Sequence, residues 1–388
     1  MNNTPVKVAF LDFSPVFAGA ERVLYNAISN LDRSKYDPIL IFPFPLPHQE
    51  RYESLNCKKV WLNDSLTWWM GSDRWKKPLS GTDFIKRTIL GLQLAHFISK
   101  NNIRILDVNL MRNDIKMWVW GTRKFTSAKI IGHYRSQSLD WIAPADAQRL
   151  FDLVVCVSKF SRSRFLTPGE FTKTGVLYDA VNVDEMHSSL SKEDAKKELG
   201  IDPAYKILSS VGQLSIHKGH DTAIRAFAKL ADKYPDYKLL IAGGGRESLI
   251  KYYQDIIKDL RLEDHVMLPG KQLGNIQTVY RASDLTLSLT KVGEGFGLVP
   301  YESSLLGTPF IAPSLGAVLE FVKDGESGML VDTNNLEKVV EKIDWALSHP
   351  SETNEMVGRL QNIIYEKLTP QSLANNLDII YSELLNQN

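Results

Sequence analysis

The sequence predicts an α/β protein made of two Rossmann-like, doubly wound parallel sheets in series. Short apolar strands alternate with segments of helical length, which is typical of parallel sheets covered by helices. The alternation pauses over a polar stretch at 182–203 and then restarts, and 388 residues are enough for two domains. We therefore expect an N-terminal domain over 1–182, a second domain over 203–368 and a last helix over 369–388.

The first half contains five short apolar runs that predict strands, at 6–12, 39–42, 103–108, 128–131 and 153–157. Helices are predicted at 20–31 and 83–100, where apolar residues recur near a period of 3.6. Pro43, Pro45 and Pro47 interrupt regular structure, and we predict no element from there to about residue 82.

The second half repeats the pattern with strands predicted at 206–211, 238–242, 266–268, 284–289, 310–312 and 329–331. Helices are predicted at 219–234, 246–260, 276–282, 335–348, 351–367 and 371–385, with another one beginning at 298. Because ligands of such sheets bind at the carboxyl ends of the strands, we expect the functional site in a cleft between the two domains.

Charge and tryptophan are unevenly spread along the chain. Residues 1–180 hold 25 Lys+Arg and 16 Asp+Glu, a net charge of +9, whereas residues 181–388 hold 21 and 29, a net charge of −8. Seven of the eight tryptophans also lie in the first part. This asymmetry indicates that the two halves have different partners.

The composition predicts a protein of the reducing cytosol. There is no run of 18 apolar residues and no signal-peptide pattern at the N-terminus. Of the two cysteines, Cys156 lies in an apolar run, so we expect a buried thiol rather than a disulfide. No Cys/His spacing is typical of a metal site, and we expect neither a metal nor a nucleic-acid partner.

The stretch 290–309 carries the strongest chemical signal, because a Gly-rich loop between a strand and a helix is flanked by two carboxylates. Glu294 lies on the loop and Glu302 lies about a turn into the helix. Backbone N–H groups at such a helix start suit a diphosphate, and carboxylates accept hydrogen bonds from sugar or ribose hydroxyls. The alternative is an ordinary strand-loop-helix unit with two surface glutamates.

Other loops that follow predicted strands could face the same cleft. Gly19 lies in a small-residue turn that suits a phosphate or sugar, or is an ordinary tight turn. His133 could bind a reacting sugar, or be a structural histidine. Lys218 lies at a predicted helix start, where a ligand phosphate would explain its charge, although a solvated lysine is equally compatible. Gly244 belongs to a Gly triplet that is a weak signal alone.

Taken together, these loops resemble those of the retaining glycosyltransferases of family 4, which have the GT-B fold. The motifs that carry the resemblance are Gly-x₅-Lys-Gly at 212–219, the Gly triplet at 243–245 and Glu-x₇-Glu from Glu294 to Glu302. Further matches lie at 306–312, 316–328, 19–22 and 176–184. The resemblance is strong over 206–332 and weak over about 43–127.

The resemblance implies that the second domain binds a nucleotide-diphosphate sugar, UDP- or GDP-linked. Lys218 would contact the diphosphate, Glu302 would accept from the ribose hydroxyls, and Glu294 would hold hydroxyls of the transferred sugar. The remaining donor-binding positions would be Gly19, Gln213, Gly244, Lys271, Gly295, Phe296, Gly297 and Leu298. His133 would touch the donor sugar near its anomeric carbon, and the last helix would cross back onto the first domain.

The implied activity is transfer of a hexose, with retained configuration, to a hydroxyl of a saccharide or lipid-linked acceptor in cell-surface polysaccharide or glycolipid assembly. Catalysis would depend on His133, Glu294 and Lys218, without a metal. Gln213 departs from the family, which usually has Arg there, and Asp179-Ala180 stands where Asn-Gly is common. Two alternatives remain: a nucleotide-sugar epimerase of the same fold, and a non-catalytic donor-binding partner subunit.

Residues 61–90 suggest an acceptor or membrane surface. Five bulky residues, Trp61, Trp68, Trp69, Met70 and Trp75, lie close in sequence to Arg74, Lys76, Lys77, Lys86 and Arg87. Aromatic and basic side chains suit sugars, anionic lipid or a lipid diphosphate. The prediction is peripheral attachment at the inner face of the cell membrane, and the alternative is core tryptophans with a solvated basic rim.

Overall fold

The computed structural model describes residues 4–15, 17, 19–62, 81–135, 141–166, 173–270 and 275–386. The chain divides into two compact units. The first comprises residues 1–180 together with 370–388, and the second comprises residues 181–369. The final helix therefore belongs to the first unit. Each unit has its own parallel sheet and its own hydrophobic core.

In its described residues the first unit has a seven-stranded sheet in the order β3-β2-β1-β4-β5-β6-β7. The strands are β1 (Val6–Leu11), β2 (Tyr36–Phe42), β3 (Lys58–Trp61), β4 (Ile105–Val108), β5 (Lys129–Tyr134), β6 (Leu153–Cys156) and β7 (Thr174–Val176). Every pair of neighbours is parallel. The central strands are almost wholly apolar because helices cover both faces of such a sheet.

The helices of the first unit are α1 (Gly19–Asn30), α2 (Gly81–Lys100), α3 (Lys116–Phe125), α4 (Pro144–Leu150), α5 (Lys159–Phe165) and the C-terminal α13 (Pro370–Asn386). Helices α2 and α3 cross at two glycines. A Cβ added to Gly91 would lie 2.4 Å from the carbonyl oxygen of Met117, and one added to Gly121 would lie 2.6 Å from that of Gly91. Backbones this close require residues without side chains.

The second unit has, in its described residues, a six-stranded parallel sheet in the order β10-β9-β8-β11-β12-β13. Its strands are β8 (Lys206–Val211), β9 (Tyr237–Ala242), β10 (Val266–Met267), β11 (Leu285–Leu287), β12 (Phe310–Pro313) and β13 (Met329–Val331). Its helices are α6 (Lys192–Glu198), α7 (His220–Leu230), α8 (Glu247–Asp259), α9 (Ile276–Ala282), α10 (Val299–Leu305), α11 (Leu336–Ser348) and α12 (Pro350–Lys367).

The structure contains elements that the sequence did not predict, among them a helix in the expected connector and strands β3 and β7. The stretch 182–203, expected to be a connector, contains helix α6, whose N-cap Ser191 accepts a hydrogen bond from the N–H of Asp194 at 3.0 Å. Lys192 also pairs with Asp284 at 2.8 Å, which fixes this helix to the second unit. Strand β3 lies in the stretch 43–82, where no element was predicted, because its four residues give too short a pattern.

Candidate functional site

The Gly-rich loops of the second unit meet at the carboxyl ends of adjacent strands, after β9, β8, β11 and β12. Glycines let these loops touch backbone to backbone. A Cβ on Gly243 would lie 1.8 Å from the carbonyl oxygen of Gly212, and a Cβ on Gly219 would lie 1.8 Å from that of Leu289. Gly219 also has φ +72°, a left-handed conformation that glycine adopts without strain. The loops therefore form one packed corner.

Lys218 and Glu294 meet at this corner. The ammonium group of Lys218 donates a hydrogen bond to a carboxylate oxygen of Glu294, and the lysine stem packs beside Gly212. The two side chains remain 31% and 25% exposed, so both are accessible to a ligand. Gly297 and Gly316 hold the glutamate loop, since a Cβ on either would approach Glu294 to within 2.8 or 2.9 Å. The sequence predicts that Lys218 and Glu294 share a ligand site, and in the structure the two side chains are in direct contact.

Glu302 lies deeper in the same unit than Glu294. It is 8% exposed, and its Oε2 accepts a hydrogen bond from the hydroxyl of Tyr280 at 2.8 Å. Helix α10 begins next to it, with Leu298 as an N-cap residue whose side chain makes no capping hydrogen bond. Phe296 is buried and stacks on Tyr301 with ring centroids 5.1 Å apart. The ring of Phe296 therefore anchors the loop, while Gly295, Gly297 and Leu298 are half-buried.

His220 supports the corner from beneath. It is fully buried at the start of α7, and its Nδ1 lies 2.8 Å from the hydroxyl of Ser210. Burial, as the main cause, lowers its pKa to about 4. The imidazole is therefore neutral at pH 7.

The other predicted donor-binding residues of the second unit lie on the same loops. Gln213 is exposed on the loop after β8, and the carbonyl of Gly244 accepts a hydrogen bond from the N–H of Leu214 at 2.9 Å. Lys271 lies outside the described residues. Gly19 and His133 belong to the first unit, where Gly19 begins α1 and His133 lies near the end of β5.

His133 lies in a buried polar network of the first unit. It is 4% exposed; its Nε2 lies 2.9 Å from Asp107 Oδ1, and its Nδ1 lies 3.4 Å from Arg135 Nη2. Asp107 accepts a hydrogen bond from the hydroxyl of Tyr381 on α13 at 2.7 Å. Arg135 pairs with Asp179 at 2.5 Å. Burial raises the pKa of Asp179, and the Arg135 guanidinium opposes that shift.

Sequence reasoning did not identify Asp107, Arg135 or Tyr381 as site residues. Asp107 and Tyr381 are 274 residues apart, so their contact has no local pattern. The one available signal was the charged residue inside the apolar run 103–108, since a carboxylate in a buried strand requires a partner. A similar acid–phenol pair joins Asp12 to Tyr52 at 2.7 Å.

Two other kinds of feature are absent from the described residues. In the part of the chain that the structure describes, no three His, Cys, Asp or Glu side chains come together as a metal site would require. Among the described helices, none combines the length and the apolar character needed to cross a bilayer.

Comparison with known proteins finds a family model and curated relatives that match part of the chain. Residues 191–362 match the family described as glycosyl transferases group 1. The chain is 28% identical over 236 residues to an uncharacterized glycosyltransferase of Methanocaldococcus jannaschii, covering 59% of each chain. It is 30% identical over 190 residues to N-acetyl-alpha-D-glucosaminyl L-malate synthase of Bacillus anthracis, covering 49% of each. The aligned part thus spans about half the length of these curated relatives.

Solved structures extend the similarity of fold to nearly the whole chain. Anabaena HepE, crystallised in complex with UDP and glucose, has a TM-score of 0.80 at 18% identity, covering 97% of this chain and 100% of that one. A glycosyltransferase from Rickettsia africae has a TM-score of 0.83 at 19% identity, covering 99% and 100%. The chain therefore has the GT-B fold of two Rossmann-like domains, and its residues 191–362 match the glycosyl transferase group 1 family.

Proposed function

We propose that the protein is a glycosyltransferase that takes its sugar from a nucleotide-diphosphate donor. The observation that carries this proposal is the accessible contact of Lys218 with Glu294 on a corner of closely packed Gly-rich loops. An ammonium suits a diphosphate, and a carboxylate suits sugar hydroxyls. The group 1 family match and the UDP and glucose bound to HepE support the same donor class.

In this proposal the donor displaces the contact between the two side chains. The diphosphate would draw Lys218 away, and Glu294 would then accept hydrogen bonds from hydroxyls of the transferred hexose. Glu302 would accept from the ribose, and Gln213 and Gly244 would border the phosphates. Since Gln213 is neutral where the family usually has Arg, Lys218 would provide a larger share of the positive charge near the leaving diphosphate.

The reaction would transfer a hexose with retained anomeric configuration. Departure of the nucleotide diphosphate leaves negative charge on the phosphate while positive charge develops on the sugar ring. Lys218 and the N–H groups of the loop at 296–298 would stabilise the leaving group. The acceptor hydroxyl would attack from the face that the leaving group vacates, and the leaving phosphate would take its proton. As the resemblance implies, His133 would contact the donor sugar and Gly19 its phosphates.

The acceptor would be a saccharide or a lipid-linked hydroxyl compound, consistent with polysaccharide or glycolipid assembly at the inner face of the cell membrane. The exposed side of α2 supports attachment to a lipid surface. Ile85, Ile89 and Leu92 recur at helical spacing and are 59%, 47% and 46% exposed. Solvent-facing helix residues are usually polar, so this stripe suits insertion into a bilayer boundary. Of the aromatic cluster at 61–75, only Trp61 lies within the described residues.

Transfer would need no metal ion, because Lys218 and the loop N–H groups would stabilise the leaving diphosphate. We expect activity to persist in excess EDTA. Strong inhibition by EDTA that Mg²⁺ or Mn²⁺ reverses would contradict this part of the proposal.

The test is a donor screen with the purified full-length protein. A panel of UDP- and GDP-linked hexoses is incubated with and without simple glycosides, and release of nucleotide diphosphate and the sugar products are measured. We expect one donor to be consumed with release of its nucleotide diphosphate, and Glu294→Ala to abolish this while remaining folded. Conversion into an epimeric nucleotide sugar would indicate the epimerase instead, and binding without turnover would indicate the non-catalytic partner subunit.

A further inference from the structure

The polar network around His133 has an order that follows from the sheet register. Asp107 of β4 pairs with Ile131 of β5, so His133 lies two residues further along on the same face of the sheet. This places Asp107 Oδ1 2.9 Å from His133 Nε2. On the other edge of the ring, Arg135 Nη2 lies 3.4 Å from Nδ1. The imidazole is held between an anion and a cation.

Each of these two neighbours is itself fixed. The hydroxyl of Tyr381, which is fully buried, donates to Asp107 Oδ2 at 2.7 Å, and Asp107 is 1% exposed. Arg135 donates through Nη1 to Asp179 at 2.5 Å and through Nε to the carbonyl of Asn109 at 3.1 Å. Burial together with the charge of Asp107 raises the pKa of Tyr381, so its hydroxyl remains a donor.

We infer that Asp107 and Tyr381 are positioning residues for His133, so that the C-terminal helix α13 contributes to the reaction through a three-residue chain. The inference rests on the proposed function, in which His133 contacts the donor sugar. Arg135 donates toward Nδ1, which places the ring hydrogen on Nε2, and the Asp107 carboxylate 2.9 Å from Nε2 favours the same tautomer by its charge, in a contact that lacks the alignment of a hydrogen bond. Tyr381 fixes this carboxylate beside the ring.

The ion pair of Arg135 with Asp179 is the last part of the network around His133. It also gives a reason why this sequence departs from the family at position 179. Asp179 stands where the family commonly has Asn, and here its carboxylate neutralises the buried guanidinium beside His133. An amide at 179 would leave that charge without a counter-ion in a buried place, which is costly. With Asp179 present, the charge of the Arg135 guanidinium is neutralised, and Arg135 can donate a hydrogen bond to His133 Nδ1.

A double-mutant cycle tests whether Tyr381 acts through His133. Tyr381→Phe, His133→Ala and the double variant are compared with the wild type, using the donor that the screen identifies. We expect Tyr381→Phe to lower kcat about fivefold to tenfold with little change in KM, and to have less than a twofold effect when His133 is already alanine. Asp107→Asn, which keeps the size of the side chain, should lower kcat at least as much.

Tyr36→Phe is the matched control. The Tyr36 hydroxyl also bonds to α13, donating to Asp378 at 2.8 Å, and its ring packs on Tyr381, but it does not reach Asp107. It should leave kcat unchanged while weakening the attachment of α13 similarly. Equal losses from Tyr381→Phe in both His133 backgrounds, or the same loss in Tyr36→Phe, would overturn the inference. So would an unchanged kcat in His133→Ala, which leaves the donor site of the second unit intact.

A readout independent of activity separates this inference from the proposed function. In NMR of protein labelled with ¹⁵N-histidine, the His133 resonances are identified as those missing from His133→Gln. In the wild type they should show hydrogen on Nε2. Asp107→Leu and Tyr381→Phe should shift them, and Tyr36→Phe should not. If no donor is consumed, the proposed function fails. The resonances then still test whether Asp107 and Tyr381 set the tautomer of His133. Unchanged resonances in both variants would overturn it.

Discussion

At the scale of single residues, the contact between Lys218 and Glu294 is the basis of the proposed donor binding. Each side chain neutralises the other in the ligand-free protein, and both are partly exposed. An ion pair of this exposure contributes little to stability, on the order of 0–1 kcal/mol. Its importance is therefore in binding, because a ligand with phosphates and hydroxyls can satisfy both groups at once.

Replacement of Glu294 by Gln should separate the two halves of donor recognition. The variant no longer holds Lys218, so we expect UDP to bind a few-fold more tightly, in proportion to the ~0–1 kcal/mol of the lost ion pair. Transfer should fall by about tenfold to a hundredfold, because hydrogen bonds between sugar hydroxyls and a carboxylate contribute roughly 1.5–3 kcal/mol. Isothermal titration with UDP and turnover of the identified donor measure the two effects.

The matched control is Glu247→Gln, at the exposed start of α8. It should change neither the affinity for UDP nor the turnover. Weaker binding of UDP by Glu294→Gln would contradict the idea that the carboxylate competes with phosphate for Lys218.

The candidate residues of the second unit carry a local sequence pattern, whereas the buried polar network of the first unit does not. Glu294 and Lys218 lie on Gly-rich loops, and Glu302 lies in α10 directly after one, so a local pattern marks all three. Asp107 and Tyr381 are brought together only by packing of α13 in the first unit, and no local pattern records a contact across 274 residues. Lys218 and Glu294, 76 residues apart, were predicted to share a site, but their direct hydrogen bond was not predicted.

At the scale of elements, the corner depends on glycines that allow loops to touch. Gly219→Ala should destabilise the protein by more than 2 kcal/mol, because its Cβ would lie 1.8 Å from the carbonyl oxygen of Leu289 and its φ is +72°. Gly325→Ala has nearly the same φ, +75°, with nothing within 4 Å, and should cost only about 1 kcal/mol. Urea unfolding of both variants measures the difference, and equal losses would show that loop contact is unimportant.

The buried histidine beneath the corner predicts a loss of stability in acid. The pKa of His220 is about 4 in the folded protein and about 6.5 when unfolded. Between these values the unfolded chain binds a proton that the folded one does not, so stability rises with pH from 4 to 6.5 and is fully present above 6.5. The total is about 3 kcal/mol. Urea unfolding from pH 4 to 7 measures the slope.

His220→Gln should remove this part of the pH dependence and keep a partner for Ser210. His187→Gln, at an exposed position, serves as the control and should leave the slope unchanged. An identical slope in wild type and His220→Gln would contradict the assignment.

Except for β11, which is Leu285–Leu287 against the predicted 284–289, the strands of the second unit begin and end within one residue of the prediction, since apolar character marks them in the sequence. The run 206–211 is an example, and strand β8 is Lys206–Val211. The region after residue 43 was not predictable in the same way. There β3 has only four residues, two half-buried ones between two exposed ones, and its position depends on pairing with β2.

At the scale of the whole molecule, the proposed attachment to lipid rests on the uneven charge and on the exposed α2 stripe of Ile85, Ile89 and Leu92. The triple variant Ile85→Ser, Ile89→Ser, Leu92→Ser should lose about tenfold or more in binding to phosphatidylglycerol vesicles, since each side chain contributes roughly 1–3 kcal/mol when buried. Because all three are exposed, the free energy of unfolding should change little. Sedimentation with vesicles at low and physiological salt measures binding.

The control replaces Tyr365 and Ile379 by Ser, two residues that are 58% and 56% exposed on other helices. It should bind vesicles as the wild type does. If the wild-type protein sediments with neither anionic nor neutral vesicles, the lipid surface is wrong and the glycosyltransferase proposal is unaffected.

The central claim is that the corner holding Lys218 and Glu294 binds a nucleotide-diphosphate sugar. A crystal structure with the donor that the screen identifies tests it most directly. We predict that Lys218 Nζ moves from Glu294 to a phosphate oxygen, and that the Glu294 carboxylate accepts hydrogen bonds from sugar hydroxyls. A donor bound elsewhere, or a Lys218–Glu294 contact that persists with the donor present, would contradict the account.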